Sequence, residues 1–186
     1  MKINTQNTML LVLDMQAAII SKLTDVDALV SNVNKAIVVA RTKGVPVIYV
    51  KVGFRPGANE ISQNNKAFGA MQQYLAKMNM DDFMELHPSI LPAESEPVVI
   101  KRRVSAFSGS DLDVILRSAK IDHIILVGYT TSGVVLATLF EASDKDYRVT
   151  LISDCCADQN SDVHQTLVTE VFPRKADVIT IDEWGN

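Results

Sequence analysis

Six short runs of apolar, largely β-branched residues punctuate the chain: Met9 to Leu13, Val45 to Val52, Pro97 to Ile100, Ile121 to Val127, Tyr147 to Ile152 and Ala176 to Ile181. Between them the apolar residues change period. Val26, Leu29, Val30, Val33 and Ile37 fall on one helical face, with Thr24 or Asp25 as N-cap and Gly44 just past the end. Ser110 to Ala119 reads as a helix, as does Ser132 to Ser143 through Val135, Leu136, Leu139 and Phe140, and Ser161 to Phe172 is a helix stopped by Pro173. Strands that alternate with helices pair in parallel through right-handed crossovers. The expected fold is α/β: a three-layer α/β/α arrangement around a doubly wound, mainly parallel sheet of about six strands.

The stretch 54–96 breaks this rhythm with Pro56-Gly57, a polar run from Asn59 to Lys66, and Pro88 and Pro92. It reads as a loop and short-helix excursion, the kind that often covers a substrate, within a single domain spanning 1–186. Its methionines, Met71, Met78, Met80 and Met84, are assigned to packing.

Lys and Arg total 18 against 22 Asp and Glu, and no like-charge block exceeds Lys101-Arg102-Arg103. That pattern disfavours nucleic acid or an anionic membrane and leaves a small molecule as the expected partner. No signal-peptide core precedes the first apolar run, and the two cysteines, Cys155 and Cys156, are neighbours that build no disulfide framework. A cytoplasmic protein is expected.

Two charged residues stand directly after apolar runs, Asp14 after Met9 to Leu13 and Lys101 after Pro97 to Ile100. If these are parallel strands, both side chains lie at carboxyl ends, where open α/β sheets bind ligands. The strand-to-helix turn Gly128-Tyr129-Thr130-Thr131-Ser132-Gly133-Val134-Val135 would add free N–H groups at the positive end of a helix dipole, unless Ser132 simply caps that helix. Gln16, Phe54, Arg55, Phe107 and Tyr129 are further substrate-binding candidates, each with an equally simple structural role in a loop or in the core. His87, His123 and His164 fit no zinc spacing, and Gly128 and Gly133 belong to no G-x-G-x-x-G motif, so neither a metal nor a cofactor is expected.

With these segments assembled, the chain resembles the isochorismatase-like cysteine hydrolases. The motifs are LLVLDMQ with Asp14, Lys101 followed by Arg102-Arg103-Val104-Ser105-Ala106-Phe107, and GYTTSGVVLAT, supported by GFRPG at Gly53 to Gly57 and VFPRKADVIT near the end. The resemblance implies a pocket with an Asp, Lys, Cys triad, in which the thiolate attacks an amide-like carbon. It further implies a non-proline cis peptide at or beside Tyr129-Thr130, an oxyanion site among Thr130, Gly133 and Val134, and a homo-oligomer, dimer or tetramer.

The same resemblance puts the nucleophilic cysteine on Val134, which has no nucleophilic atom. Four replacements present themselves. Ser132 could attack if a base lay close to its hydroxyl, and Cys156 could if its thiol lay near the crevice edge. Alternatively Asp14 acts as acid/base with water and Lys101 as its electrostatic partner, as isochorismatases do on a vinyl ether, although those enzymes carry glycine where Val134 would narrow the pocket. The fourth is a scaffold that binds a small molecule without turning it over.

Overall fold

The computed structural model describes residues 5–185; the first four residues of the polar amino terminus lie outside them. Among the described residues, strands β1 (Thr8–Leu13), β2 (Val47–Val52), β3 (Val98–Lys101), β4 (His123–Tyr129), β5 (Arg148–Ala157) and β6 (Asp177–Ile179) form one six-stranded sheet. Their order is β3-β2-β1-β4-β5-β6 and every neighbouring pair is parallel. The order reverses direction between β1 and β4, and ligands of doubly wound sheets bind at the carboxyl ends beside that switch.

β1 is buried on both faces, as a strand apolar from Met9 to Leu13 in a parallel sheet must be. Leu10 and Val12 pack with α2 (Val26–Thr42) and α9 (Ile181–Gly185), while Met9, Leu11 and Leu13 pack with α6 (Leu112–Ser118) and α7 (Leu136–Asp144). α2 begins where expected: the Asp25 carboxylate accepts from the Ala28 amide at 3.1 Å, supplying one of the partners a helix start lacks. It ends before Gly44, whose φ of +68° lets the chain reverse.

Three elements depart from the expectation. β5 runs on to Ala157 because its register with β4 slips by a bulge, placing Cys156 opposite Gly128 inside the strand instead of after it. The polar pair Ser153-Asp154 hid this extension; Ser153 Oγ donates to the Ile179 carbonyl, and Asp154 accepts from the Ile181 amide to start α9, a helix not foreseen. The helix from Ser161 is regular only through α8 (Ser161–Thr166), then widens over Leu167–Val171 and tightens into a single turn at Phe172–Arg174.

The excursion contains α3 (Lys66–Gly69), α4 (Gln72–Leu75) and α5 (Met80–Phe83), after a tight turn at Pro56–Ala58. It has a small core of its own, Phe54, Ala58, Ile61 and Leu75 beside Val52, against which Ile19 of α1 (Ala17–Ile20) packs.

Gly128 is the position that backbone geometry dictates most strongly. Its φ is +131°, and a Cβ there would run into the Leu13 carbonyl of β1. Gly128→Ala is expected to destabilise the fold by about 3 kcal/mol, measured by urea denaturation, because it forces β4 away from the residue preceding Asp14.

Candidate active site

Asp14 is where the chain leaves the sheet. Its amide still donates to the Val50 carbonyl of β2 at 2.9 Å, but its φ of +49° turns the backbone out of the strand into α1. Aspartate is among the side chains that tolerate that conformation best. Lys101, the last residue of β3, lies level with Val52. Its Nζ lies 2.9 Å from Asp14 Oδ2 and donates a second hydrogen bond to the Arg103 carbonyl at 2.9 Å. Both residues are buried, 6% and 2% exposed.

Burial disfavours the charged carboxylate and Lys101 favours it; burial wins, pushing the Asp14 pKa up to about 6. The second carboxylate oxygen, Oδ1, is buried without a hydrogen-bond partner. Buried polar atoms are nearly always paired, so an open acceptor beside a cation is a functional indication.

The turn after β4 supplies the opposite side. The Tyr129–Thr130 peptide is cis, within the range the resemblance implied. Thr131–Val135 forms one wide helical turn in which the Val135 amide reaches back five residues to the Thr130 carbonyl at 3.2 Å; such widened turns are frequent at functional sites. Gly133 leaves the helical range at φ −105° and ψ −105°, and a Cβ there would make the Thr130 hydroxyl turn aside. Val134 is 3% exposed and packs in the core shared with Leu13 and Phe107.

Two of the amides expected to be free are committed. The Gly133 amide donates to the Thr130 carbonyl at 3.1 Å and the Ser132 amide to Asp158 Oδ2 at 2.8 Å. Ser132 does not cap the helix through its side chain: its hydroxyl donates to the same Asp158 oxygen at 2.5 Å. Those hydrogen bonds hold the Asp158 carboxyl below the usual carboxylate range despite partial burial, which makes it a poor base for activating the serine. Cys156 is no better placed, since burial pushes its thiol up to about 12. Cys155 is shifted upward still further, again chiefly by burial, and its Sγ donates to the Asn32 carbonyl.

A cleft of about 410 Å³ opens at the same edge of the sheet. Ile19, Val52, Phe68, Met71 and Phe83 form its apolar wall, and Lys22, Tyr129, Thr130, Ser132, Asp158 and Gln159 its polar part. Of the anticipated binding residues, Tyr129 and Thr130 line it. Phe54 stands behind Phe68, edge to face at 5.4 Å between ring centres.

The others lie elsewhere. Gln16 is a backbone clamp instead of a ligand group: Oε1 accepts from the Val52 amide at 2.7 Å, while Nε2 donates to the carbonyls of Val52 and Phe83 at 3.1 and 2.8 Å. Arg55 is an exposed loop residue 3.6 Å from Glu60. Phe107 is stacked on Tyr147 at 6.0 Å with the Lys145 ammonium over its ring, so it packs the core. Arg102 and Arg103 spend their guanidinium groups on backbone carbonyls of Gly53, Arg102 and Glu60.

Sequence reasoning missed Lys22, Asp158 and Gln159, which follow α1 and β5 and carry no motif, and it preferred packing for Met71. The signal available for Met71 was its place in an excursion at the sheet's carboxyl edge. Among the described residues no group of three or more His, Cys, Asp or Glu side chains is close enough to hold a metal, and no helix is long and apolar enough to cross a membrane.

The Isochorismatase domain model matches residues 8–183. The chain belongs to the isochorismatase family. This isochorismatase-family chain is 31% identical over 187 residues to a probable isochorismatase of Pseudomonas chlororaphis, covering 97% of the chain and 86% of that protein. It is 28% identical over 157 residues to N-carbamoylsarcosine amidase of an Arthrobacter species, covering 84% of the chain and 60% of the amidase. The solved cysteine hydrolase of Pseudomonas syringae pv. phaseolicola 1448A superposes with a TM-score of 0.88 at 24% identity, covering 97% of the chain and 92% of that structure. The family's members are hydrolases.

The buried pair can be tested by removing one charge at a time. Lys101→Met leaves Asp14 buried and unpaired and is expected to cost about 3–5 kcal/mol in urea unfolding, whereas Lys101→Met with Asp14→Leu should recover most of that loss.

Proposed function

We propose that this isochorismatase-family protein is a small-molecule hydrolase that uses Asp14 and water in place of a protein nucleophile. The observation that carries the proposal is the divided state of the Asp14 carboxylate, with Oδ2 held by Lys101 at 2.9 Å and buried Oδ1 unpaired. In the hydrolysis of an amide or carbamoyl C–N bond, Asp14 Oδ1 takes a proton from water as the water oxygen bonds to the carbonyl carbon. Lys101 stabilises the ionised carboxylate, and the turn from Thr130 to Val134 supplies the hydrogen-bond donor for the charge that develops on the carbonyl oxygen. Collapse of that intermediate breaks the C–N bond, and the proton held by Asp14 passes to the leaving nitrogen. The family resemblance extends the proposal to a cytoplasmic homo-oligomer.

A vinyl ether would use the same residue in the opposite protonation state, as a general acid. The pH profile separates the two. With Asp14 at about 6, base-catalysed C–N hydrolysis gives a kcat/KM that rises with pH through about 6 and then levels, because only the ionised form works. Acid-catalysed vinyl ether cleavage gives one that falls above about 6. In either case Asp14→Asn is expected to lower kcat by roughly 10²–10⁴-fold, measured with small amides, carbamoyl compounds and vinyl ethers.

One observation favours a second reading, a binding scaffold without turnover. Neither Asp14 nor Lys101 is part of the cleft lining, and both are buried, so the pair is closed off from the cleft. Under this reading wild type binds a ligand in the cleft and turns over none of the panel.

Val134→Cys tests the assignment of that position. The substitution is expected to raise amidase activity and to add a thiol that iodoacetamide alkylates faster than Cys155 and Cys156, because Asp14 can take its proton. Alkylation no faster than in wild type places Val134 outside the nucleophile position.

A further inference from the structure

One of the histidines that fit no zinc spacing stands directly behind the turn after β4. His164, on α8, places Nδ1 2.8 Å from the Thr131 hydroxyl. Thr131 is 0% exposed, so water does not serve that hydroxyl, and among the described residues the imidazole is its one hydrogen-bond partner. A buried O–H without an acceptor is costly, so the hydroxyl donates and Nδ1 accepts, which puts the ring proton on Nε2. The residues on either side, Thr130 and Ser132, line the cleft. Whatever holds Thr131 therefore holds the cleft-lining backbone from behind.

The segment after β5 is built to present that ring. Two of its side chains clasp consecutive residues of the turn, Asp158 taking Ser132 and His164 taking Thr131. Asp158 Oδ1 also accepts from the Asn160 amide at 3.3 Å, and the Asn160 side chain accepts from the amides of Asp162 and Val163 at 3.0 and 3.3 Å, opening the helix that carries His164. The two clasps respond differently to acid. Asp158 is held below the usual carboxylate range and keeps its charge. Burial pushes His164 below the usual histidine range, with Asp158 pulling the other way, so the ring is neutral at neutral pH and gains a proton in mild acid. Asp162 and Glu170, on the same helical stretch, are exposed, and the turn from Thr130 to Val135 carries no charged side chain.

We infer that His164 is a positioning residue of the site: its neutral ring holds the Thr131 hydroxyl, and with it the turn from Thr130 to Val134, and the protonated ring releases that turn. Once Nδ1 carries a proton it accepts nothing, and the buried Thr131 O–H loses its acceptor. That the turn serves a reaction rests on the hydrolase reading; that His164 holds it rests on the contact itself.

The test is a pH titration by NMR that follows the His164 ring nitrogens and the backbone amides of residues 131–135 in wild type, Asp14→Asn, His164→Asn and Thr131→Val. In wild type the turn amides are expected to move with the same midpoint as the His164 ring, below the ordinary histidine value, and to do so equally in Asp14→Asn, where the carboxyl at position 14 no longer titrates. His164→Asn, whose side-chain oxygen takes the accepting role of Nδ1 and gains no proton, should keep the turn amides close to their neutral-pH positions and remove their acid shift. Thr131→Val should leave the ring titrating while the turn amides no longer follow it. With an amide that is turned over, the acid limb of kcat/KM should follow about two protons in wild type and about one in His164→Asn. Turn amides that stay still while the ring titrates, that follow Asp14 instead, or that keep their acid shift in His164→Asn or Thr131→Val overturn the inference. Coupled titration without turnover of any amide or ether leaves it standing and removes the hydrolase reading; turnover with a turn indifferent to His164 does the reverse.

Discussion

The carboxyl edge of this sheet is organised around one buried ion pair, between Asp14 beyond β1 and Lys101 at the end of β3. The two strands are not neighbours, since β2 lies between them. Two strand spacings amount to about 9.6 Å, a gap that the long lysine stem and the aspartate close together. Because both ends are buried, neither charge can turn to water if the other is lost. The pair therefore fixes where β3 ends, where the backbone turns after β1, and which face of the carboxylate remains open. Burial outweighing the lysine keeps the carboxylate poised close to neutral pH, where it can exchange a proton instead of remaining permanently ionised.

The fold was legible in the sequence because its signals are local and redundant. Each strand of the parallel sheet is a short apolar run, and α2 announces itself through Asp25 at one end and Gly44 at the other. Asp14 and Lys101 were legible for a related reason: a charge directly after an apolar run stands out whatever surrounds it. What escaped is what depends on contacts distant in the chain. The bulge that lengthens β5 past Ser153-Asp154 is visible only once Gly128 is seen opposite Cys156. Gln16 read as a ligand group because its amide is polar, yet the backbone of Val52 and Phe83 uses that amide first. Ser132 read as a cap because it opens a helix, but Asp158, 26 residues later, claims both its amide and its hydroxyl.

The turn after β4 is framed by contacts that do not involve the side chain at 134. The widened helix, the glycine that clears Thr130, and the Asp158 carboxylate that anchors Ser132 all hold the backbone without reference to the side chain at 134. Valine there fills space in the core. Such a frame is compatible with water-based chemistry at Asp14, and it also explains why backbone similarity alone does not reveal which atom reacts.

The Gln16 clamp has a consequence for how this protein can change over time. Its three hydrogen bonds, with that of the His87 amide to the Met15 carbonyl, fasten both the departure and the return of the excursion to the residues just after Asp14. The segment between these anchors is free to gain, lose or exchange residues, and with them the wall of the cleft, while the carboxylate stays in register with the sheet. The wall of the cleft and the buried Asp14–Lys101 pair are thus mechanically insulated from each other, so that a lineage can change one without rebuilding the other.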